Sequence, residues 1–199
     1  MMRWKLTFFS ILALLFFGAA SQLKAQVTYS AEEGKLPFTV GMGVSNFSDD
    51  WGISNPRQVG ITLWGDWRFR LPGLFQGLGL EFEGRDVNYD TPSGIPGHRM
   101  DTALIGPVYQ WRKQRRFRPY GKYLLGIGSI DYPSPGLTQT HNTATVFEPG
   151  GGVDARFWSR FSVRAEYDYQ FWHQLFGPSA LTPSGVSVGA VYDFGRASK

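Results

Sequence analysis

Period-two alternation runs through this chain from residue 38 to residue 194. It is clearest where Phe161, Val163, Ala165, Tyr167, Tyr169 and Phe171 alternate with Ser162, Arg164, Glu166, Asp168, Gln170 and Trp172. An extended backbone puts the first set on one face and the second, charge-bearing set on the other, whereas a helix would scatter both around its circumference. Beyond residue 36 no stretch longer than about ten residues repeats apolar side chains at helical spacing. The 25 glycines and 12 prolines among 199 residues argue equally against a helical bundle.

Eight segments of this kind are predicted as strands. The first sets Phe38, Val40, Met42 and Val44 against Thr39, Gly41, Gly43 and Ser45. The second sets Val59, Ile61, Leu63, Trp67 and Phe69 against Gly60, Thr62, Trp64, Asp66, Arg68 and Arg70, and the third sets Leu78, Leu80 and Phe82 against Gly79, Glu81, Glu83 and Arg85. In the fourth, Leu104 and Val108 oppose Asp101, Ala103, Tyr109 and Trp111. The fifth carries Tyr123, Leu125 and Ile127 against Lys122, Gly126 and Gly128. The sixth carries Phe147, Val153, Ala155 and Phe157 against Glu148, Gly150, Gly152, Asp154 and Arg156. The seventh is the segment described first, and the eighth sets Val186, Val188, Ala190, Tyr192 and Phe194 against Ser187, Gly189 and Asp193.

The connections alternate in length. Those at 71–77, 112–118 and 159–160 are short, while those near 47–56, 88–98, 131–144 and 173–184 are longer. An even number of strands with tight turns at one end and long loops at the other is the pattern of a bacterial transmembrane β-barrel. The N-terminus agrees: Arg3 and Lys5 precede a 15-residue apolar run from Leu6 to Ala20, followed by small residues up to Ala25. This predicts a secretory leader over 1–25, too short to span a bilayer as a helix. The leader holds Arg3, Lys5 and Lys24, three of the 20 basic residues, and none of the 16 acidic ones, which leaves 17 against 16. A balance so near neutral gives no basic face for nucleic acid. The dense cluster of Arg112, Lys113, Arg115, Arg116 and Arg118 falls at a predicted short turn.

Alternation alone does not say which face meets lipid. A soluble barrel puts its apolar residues inside and a membrane barrel inverts this. Aromatic placement favours the membrane case, with Phe38, Trp67, Phe69, Tyr123, Phe157, Phe161, Tyr192 and Phe194 near one end and Phe147, Tyr169 and Phe171 near the other.

Three late segments carry a resemblance. Gly150-Gly151-Gly152-Val153-Asp154-Ala155-Arg156, Val163-Arg164-Ala165-Glu166-Tyr167-Asp168-Tyr169-Gln170 and Val188-Gly189-Ala190-Val191-Tyr192-Asp193-Phe194 resemble, in order and spacing, the last three strands of the OmpA-like outer-membrane β-barrel domain family. The resemblance implies an eight-stranded antiparallel up-and-down barrel with both termini in the periplasm. It also implies insertion by the outer-membrane assembly machinery, which would read the strand carrying Val188, Ala190, Tyr192 and Phe194. Five residues after Phe194 depart from a terminal phenylalanine. The expected organisation is a leader over 1–25, a short periplasmic segment over 26–36, the barrel over 37–194 and a periplasmic tail over 195–199, without cell-wall anchoring.

The charges of the polar face are expected inside the barrel as a paired network: Asp66, Arg68, Arg70, Glu81, Glu83, Arg85, Asp101, Lys122, Glu148, Asp154, Arg156, Arg164, Glu166, Asp168 and Asp193. A solid polar plug is one reading and a narrow water path past the inward glycines is the other. Carboxylates two apart, such as Glu81 and Glu83 or Glu166 and Asp168, share a strand face as any plug requires and give no reason to invoke catalysis. His98, His141 and His173 fall in or beside the long loops, and no metal or cofactor is expected. Some small outer-membrane barrels deacylate lipid A with a His-x-Ser pair and an acid on the outer wall. Here His98-Arg-Met, His141-Asn-Thr and His173-Gln-Leu lack that serine. The expectation is therefore a non-enzymatic outer-membrane protein with a structural or surface-interaction role. The alternatives are a small-solute channel and, third, a lipid A-modifying enzyme. The expected partners are outer-membrane lipids, the assembly machinery, and an unspecified ligand at the loops.

Overall fold

A computed structural model of the protein describes residues 38–48, 57–69, 71, 73–89, 99–111, 116–134, 137–176 and 179–195. The expected leader, the segment before residue 38, Arg70, His98 and the end of the tail lie outside them.

The strands are β1 (Phe38–Ser48), β2 (Arg57–Arg68), β3 (Leu78–Tyr89), β4 (Arg99–Gln110), β5 (Phe117–Ser134), β6 (Leu137–Arg156), β7 (Phe161–Tyr169), β8 (Phe171–Phe176), β9 (Ser179–Leu181) and β10 (Ser184–Asp193). All pairings are antiparallel, in the order β5-β4-β3-β2-β1-β10-β7-β6, and β6 pairs back to β5 so that the sheet closes. β7 and β8 form one barrel strand interrupted at Gln170. The pairing of β6 with β7 (Gly150↔Asp168) continues without a slip into β8 (Phe147↔Phe171). β9 and β10 form another, and the Gln170 amide N–H donates to the Pro183 carbonyl at 2.7 Å across the two interruptions. The architecture is thus an eight-stranded barrel, with a short 3-10 turn (Gly73–Gly77) between β2 and β3 in which Gly73 adopts φ 65°.

Burial settles which face is which. Met42, Val44, Leu63, Ile127, Val163 and Val188 point outward and are exposed, while Asp66, Glu81, Arg85, Glu148 and Arg164 of the opposite faces are buried. A continuous exposed apolar belt around a charged interior is the arrangement lipid demands and water penalises. At the short-turn end the rings form a contiguous row: Phe38 lies 6.4 Å from Trp67 and stacks 6.2 Å from Phe194, and Tyr192 meets Phe194 at 4.8 Å and Phe161 at 5.0 Å edge-on. Tyr169 and Phe171, 4.8 Å apart, mark the other end.

Two expected loops are strands instead. β5 and β6 extend as a hairpin through residues 131–134 and 137–144, and β8 and β9 occupy much of 173–184. The sequence of these segments lacks the apolar alternation of the belt, so periodicity alone does not mark them as strands.

Candidate functional site

The lower half of the interior, toward the short turns, is a lattice built around three cations from three strands. Arg164 of β7 donates from Nε to Asp154 Oδ1 at 2.9 Å, from Nη1 to Glu81 Oε2 at 3.0 Å and from Nη2 to Asp66 Oδ2 at 2.8 Å, linking β6, β3 and β2. Arg85 of β3 donates to Glu148 Oε2 at 2.8 Å and to Asp168 Oδ2 at 2.7 Å, and it lies 2.6 Å from Glu83 Oε1. Lys122 of β5 pairs with Glu83 and lies 3.2 Å from carboxylate oxygens of Glu81, Glu166 and Asp168. The two guanidinium forks reach several carboxylates at once, which the single ammonium matches only by sitting at the centre of four.

Neutral groups add further hydrogen bonds. Trp64 Nε1 donates to Glu166 Oε1 at 2.8 Å, the Tyr120 hydroxyl donates to Glu166 Oε2 at 2.5 Å, and Gln110 Nε2 donates to Asp154 Oδ2 at 2.7 Å. The Arg164 guanidinium also stacks 4.7 Å from the Tyr120 ring centre. The carboxylate groups Glu81, Glu83, Glu166 and Glu83, Glu148, Asp168 each bring oxygens within 4.8 Å of one another. Lys122 lies against members of both sets and Arg85 against the second, so protein cations stand where a metal ion would sit.

The upper half of the interior is mainly apolar. Phe47, Val87, Met100, Leu104, Leu124, Ile130, Ala144, Val146, Trp172 and Leu181 form one buried apolar cluster at the long-connection end. The Arg85 guanidinium lies 4.1 Å from the Phe47 ring centre, and Trp172 Nε1 donates at 2.8 Å to Gln170, whose Nε2 donates at 2.5 Å to Glu148. The Trp172–Gln170–Glu148 chain joins the two layers, while the buried amide of Gln58, opposite Phe47, has no hydrogen-bond partner. The inward glycines do not open a path: a Cβ at Gly128 would lie 2.3 Å from the Trp172 ring, and one at Gly43 would lie 2.6 Å from Trp64. Gly43 and Gly128 make room for indoles, while Gly60, Gly126, Gly152 and Gly189 let neighbouring backbone approach closely.

Among the expected interior charges, Asp66, Arg68, Glu81, Glu83, Arg85, Lys122, Glu148, Asp154, Arg164, Glu166 and Asp168 are buried within the barrel. Arg156 and Asp193 lie at the short-turn rim, half-buried. Asp101 is misplaced by the sequence reading. β4 turns Met100, Leu104 and Val108 inward to line the apolar layer, which leaves Asp101 on the outer wall, 2.8 Å from Arg99. The rule of apolar outward fails there because both faces of β4 are apolar. The aromatic and amide members Tyr120, Gln110 and Gln58 were not anticipated. Trp64, Gln170 and Trp172 already lay on the charged faces, a signal that alternation carried. Of the histidines, His173 is on β8 and exposed, and His141 is on the outward face of β6.

Residues 9–194 match the family model of the outer membrane protein β-barrel domain. No curated protein matches the chain. Among solved structures, Neisserial surface protein A is similar with a TM-score of 0.64 and 12% identity, covering 79% of this chain and 97% of that one. Ail, the attachment invasion locus protein of Yersinia pestis, gives a TM-score of 0.54 at 18% identity, covering 78% of this chain and 96% of Ail. OprG from Pseudomonas aeruginosa gives 0.50 at 12% identity, covering 80% and 97%. At such identities the likeness is one of fold.

Proposed function

We propose, for a chain that belongs to the outer membrane protein β-barrel domain family, a structural and surface-interaction role in the bacterial envelope rather than conduction. One observation carries this: the barrel is filled across its width twice, by the ion-paired lattice and by the apolar layer around Trp172. An ion crossing the second layer would shed water with few polar groups to replace it, Gln58 and Thr102 among them, at a cost of several kcal/mol. In this reading residues 1–25 are a cleaved leader, the short connections and both termini lie in the periplasm, and the barrel is delivered by the assembly machinery. The ends of the β5–β6 hairpin and of β8 and β9 face outward from the cell and form the surface open to a partner. The barrel interior has no catalytic role.

The test pairs two measurements on the folded full chain. A mobility shift between unboiled and boiled samples reports a closed barrel. In planar bilayers that same material is expected to stay electrically silent across voltage and pH. Discrete conductance steps from heat-shifting protein would overturn the reading in favour of a solute channel.

A further inference from the structure

The β5–β6 hairpin carries a second constellation, on the outside of the barrel. Ser129 and Asp131 are two residues apart on the outward face of β5, and strand pairing sets His141 of β6 directly opposite Asp131 and diagonal to Ser129, which faces Thr143. His141 Nδ1 lies 2.6 Å from Asp131 Oδ1, and His141 Nε2 lies 3.4 Å from Ser129 Oγ. A carboxylate on one ring nitrogen and a hydroxyl on the other is the order of an activated serine. With Nδ1–H donating to Asp131, the imidazole is held in the tautomer whose Nε2 accepts the serine proton. An Oγ to Nε2 separation at the long end of hydrogen bonding is usual before substrate is bound. No His-x-Ser motif is needed, because the register assembles the three from both strands.

The height of this group on the wall fixes what reaches it. Along β5 the next outward residues toward the short turns are Ile127 and Leu125, both exposed and part of the lipid-facing belt. Ile127 is two residues from Ser129, about 6.6 Å of strand rise. On β4, Asp101 pairs with Ser129 and Arg99 with Asp131, while Ala103 and Ile105 continue the apolar face below them. On β3, Asp86 pairs with Asp101 and lies 3.2 Å from Arg99. The outer wall thus changes from aliphatic to charged at one level across three adjacent strands. In a bilayer that level is the boundary between acyl chains and headgroups, where acyl ester carbonyls sit. His141 is open, with its side chain 63% exposed toward that boundary.

We propose that Ser129, His141 and Asp131 form an ester-cleaving centre that acts on an acylated lipid of the leaflet at the long-connection end of the barrel. Ser129 Oγ attacks the ester carbonyl carbon as Nε2 of His141 takes its proton. The ester C–O bond breaks, the leaving alkoxide receives that proton, and the acyl group remains on Ser129. Water, deprotonated by His141, then attacks the acyl-serine to release the fatty acid and restore the hydroxyl. No oxidation occurs, and water is the co-reactant. Ser129 and His141 are the catalytic residues, and Asp131 is a positioning residue that acts through His141.

The proposal rests on the membrane-barrel reading, and the test separates the two. Full-length protein is folded into vesicles of phosphatidylethanolamine and, separately, into vesicles of phosphatidylethanolamine with lipopolysaccharide, and released fatty acid is measured. Release from the first assigns a phospholipid ester, and release only from the second assigns a glycolipid ester. Ser129→Ala and His141→Gln are expected to lower release by about 1,000-fold or more while the heat-dependent mobility shift stays intact. Asp131→Asn is expected to lower it strongly and Asp131→Glu to recover part of it, a rescue that a merely structural contact would not give. A fluorophosphonate probe is expected to modify wild-type protein at Ser129, which supports the centre independently of how the variants fold. Heat-shifting wild-type protein that releases no fatty acid from either vesicle, or carries no probe at Ser129, overturns the proposal. Wild-type protein that shows no heat shift overturns the barrel reading and this proposal with it.

Discussion

Replacing Arg164 by methionine tests whether the lattice holds the barrel wall together. Arg164 is fully buried and joins Asp154 of β6, Glu81 of β3 and Asp66 of β2 through three of its nitrogens. The thioether matches much of the stem's volume but donates to none of them, so up to three carboxylates lose their principal cation. Asp66 keeps Arg68 at 2.8 Å and Glu81 keeps Lys122 at 3.2 Å, whereas Asp154 keeps only the neutral Gln110 amide among the described contacts. Breaking a buried ion pair by removing one partner costs about 3–5 kcal/mol. With two of the three acids still paired, the loss here is expected near the lower bound, about 3 kcal/mol. The assay is urea unfolding of barrel folded in vesicles, followed by the unboiled mobility shift. Adding Asp154→Asn to Arg164→Met is expected to return part of the loss, since it removes the charge left most exposed to the deficit. A stability for Arg164→Met within about 0.5 kcal/mol of wild type, a range ordinary for surface changes, would refute the argument.

Three further outcomes follow from packing and assembly. Gly128→Ala is expected to destabilise by about 1–3 kcal/mol, read by the same unfolding assay, because its Cβ would enter the Trp172 ring. Trp172→Ala removes the largest side chain of the apolar layer and is expected to cost about 3–5 kcal/mol. Conductance appearing in that variant but not in wild type would identify the layer as the seal. Val188→Pro places a ring in the middle of β10, paired on both sides with Val44 and Ala165, and is expected to abolish heat-shifting barrel in outer membranes. Phe194→Ala, which removes a ring stacked on Phe38 and edge-on to Tyr192, is expected to lower its amount.

Much of the candidate site was legible before any coordinates. Where one face of a strand is apolar and the other charged, as in β2, β3 and β7, the charges of that face are buried among the described residues, because a register slip of one residue would turn every charge into lipid. Asp101 was misread for the opposite reason: with apolar side chains on both faces of β4, patterning carries no sign. The upper ends of β5, β6, β8 and β9 read as loops because they rise beyond the belt, where alternation is no longer required.

The amino-acid order by itself determined the strand period, the number of strands, the two-faced wall and the residues able to form an internal ion-paired lattice. Each of these depends on contrasts between near neighbours in the chain. Only the closed tertiary structure decided which carboxylate meets which cation, that the upper interior gathers an apolar cluster, and that Ser129, Asp131 and His141 share one patch of outer wall. Those relations join residues from different strands, many of them far apart in the chain, and they exist only once strand pairing fixes the register and closure sets the width of the barrel.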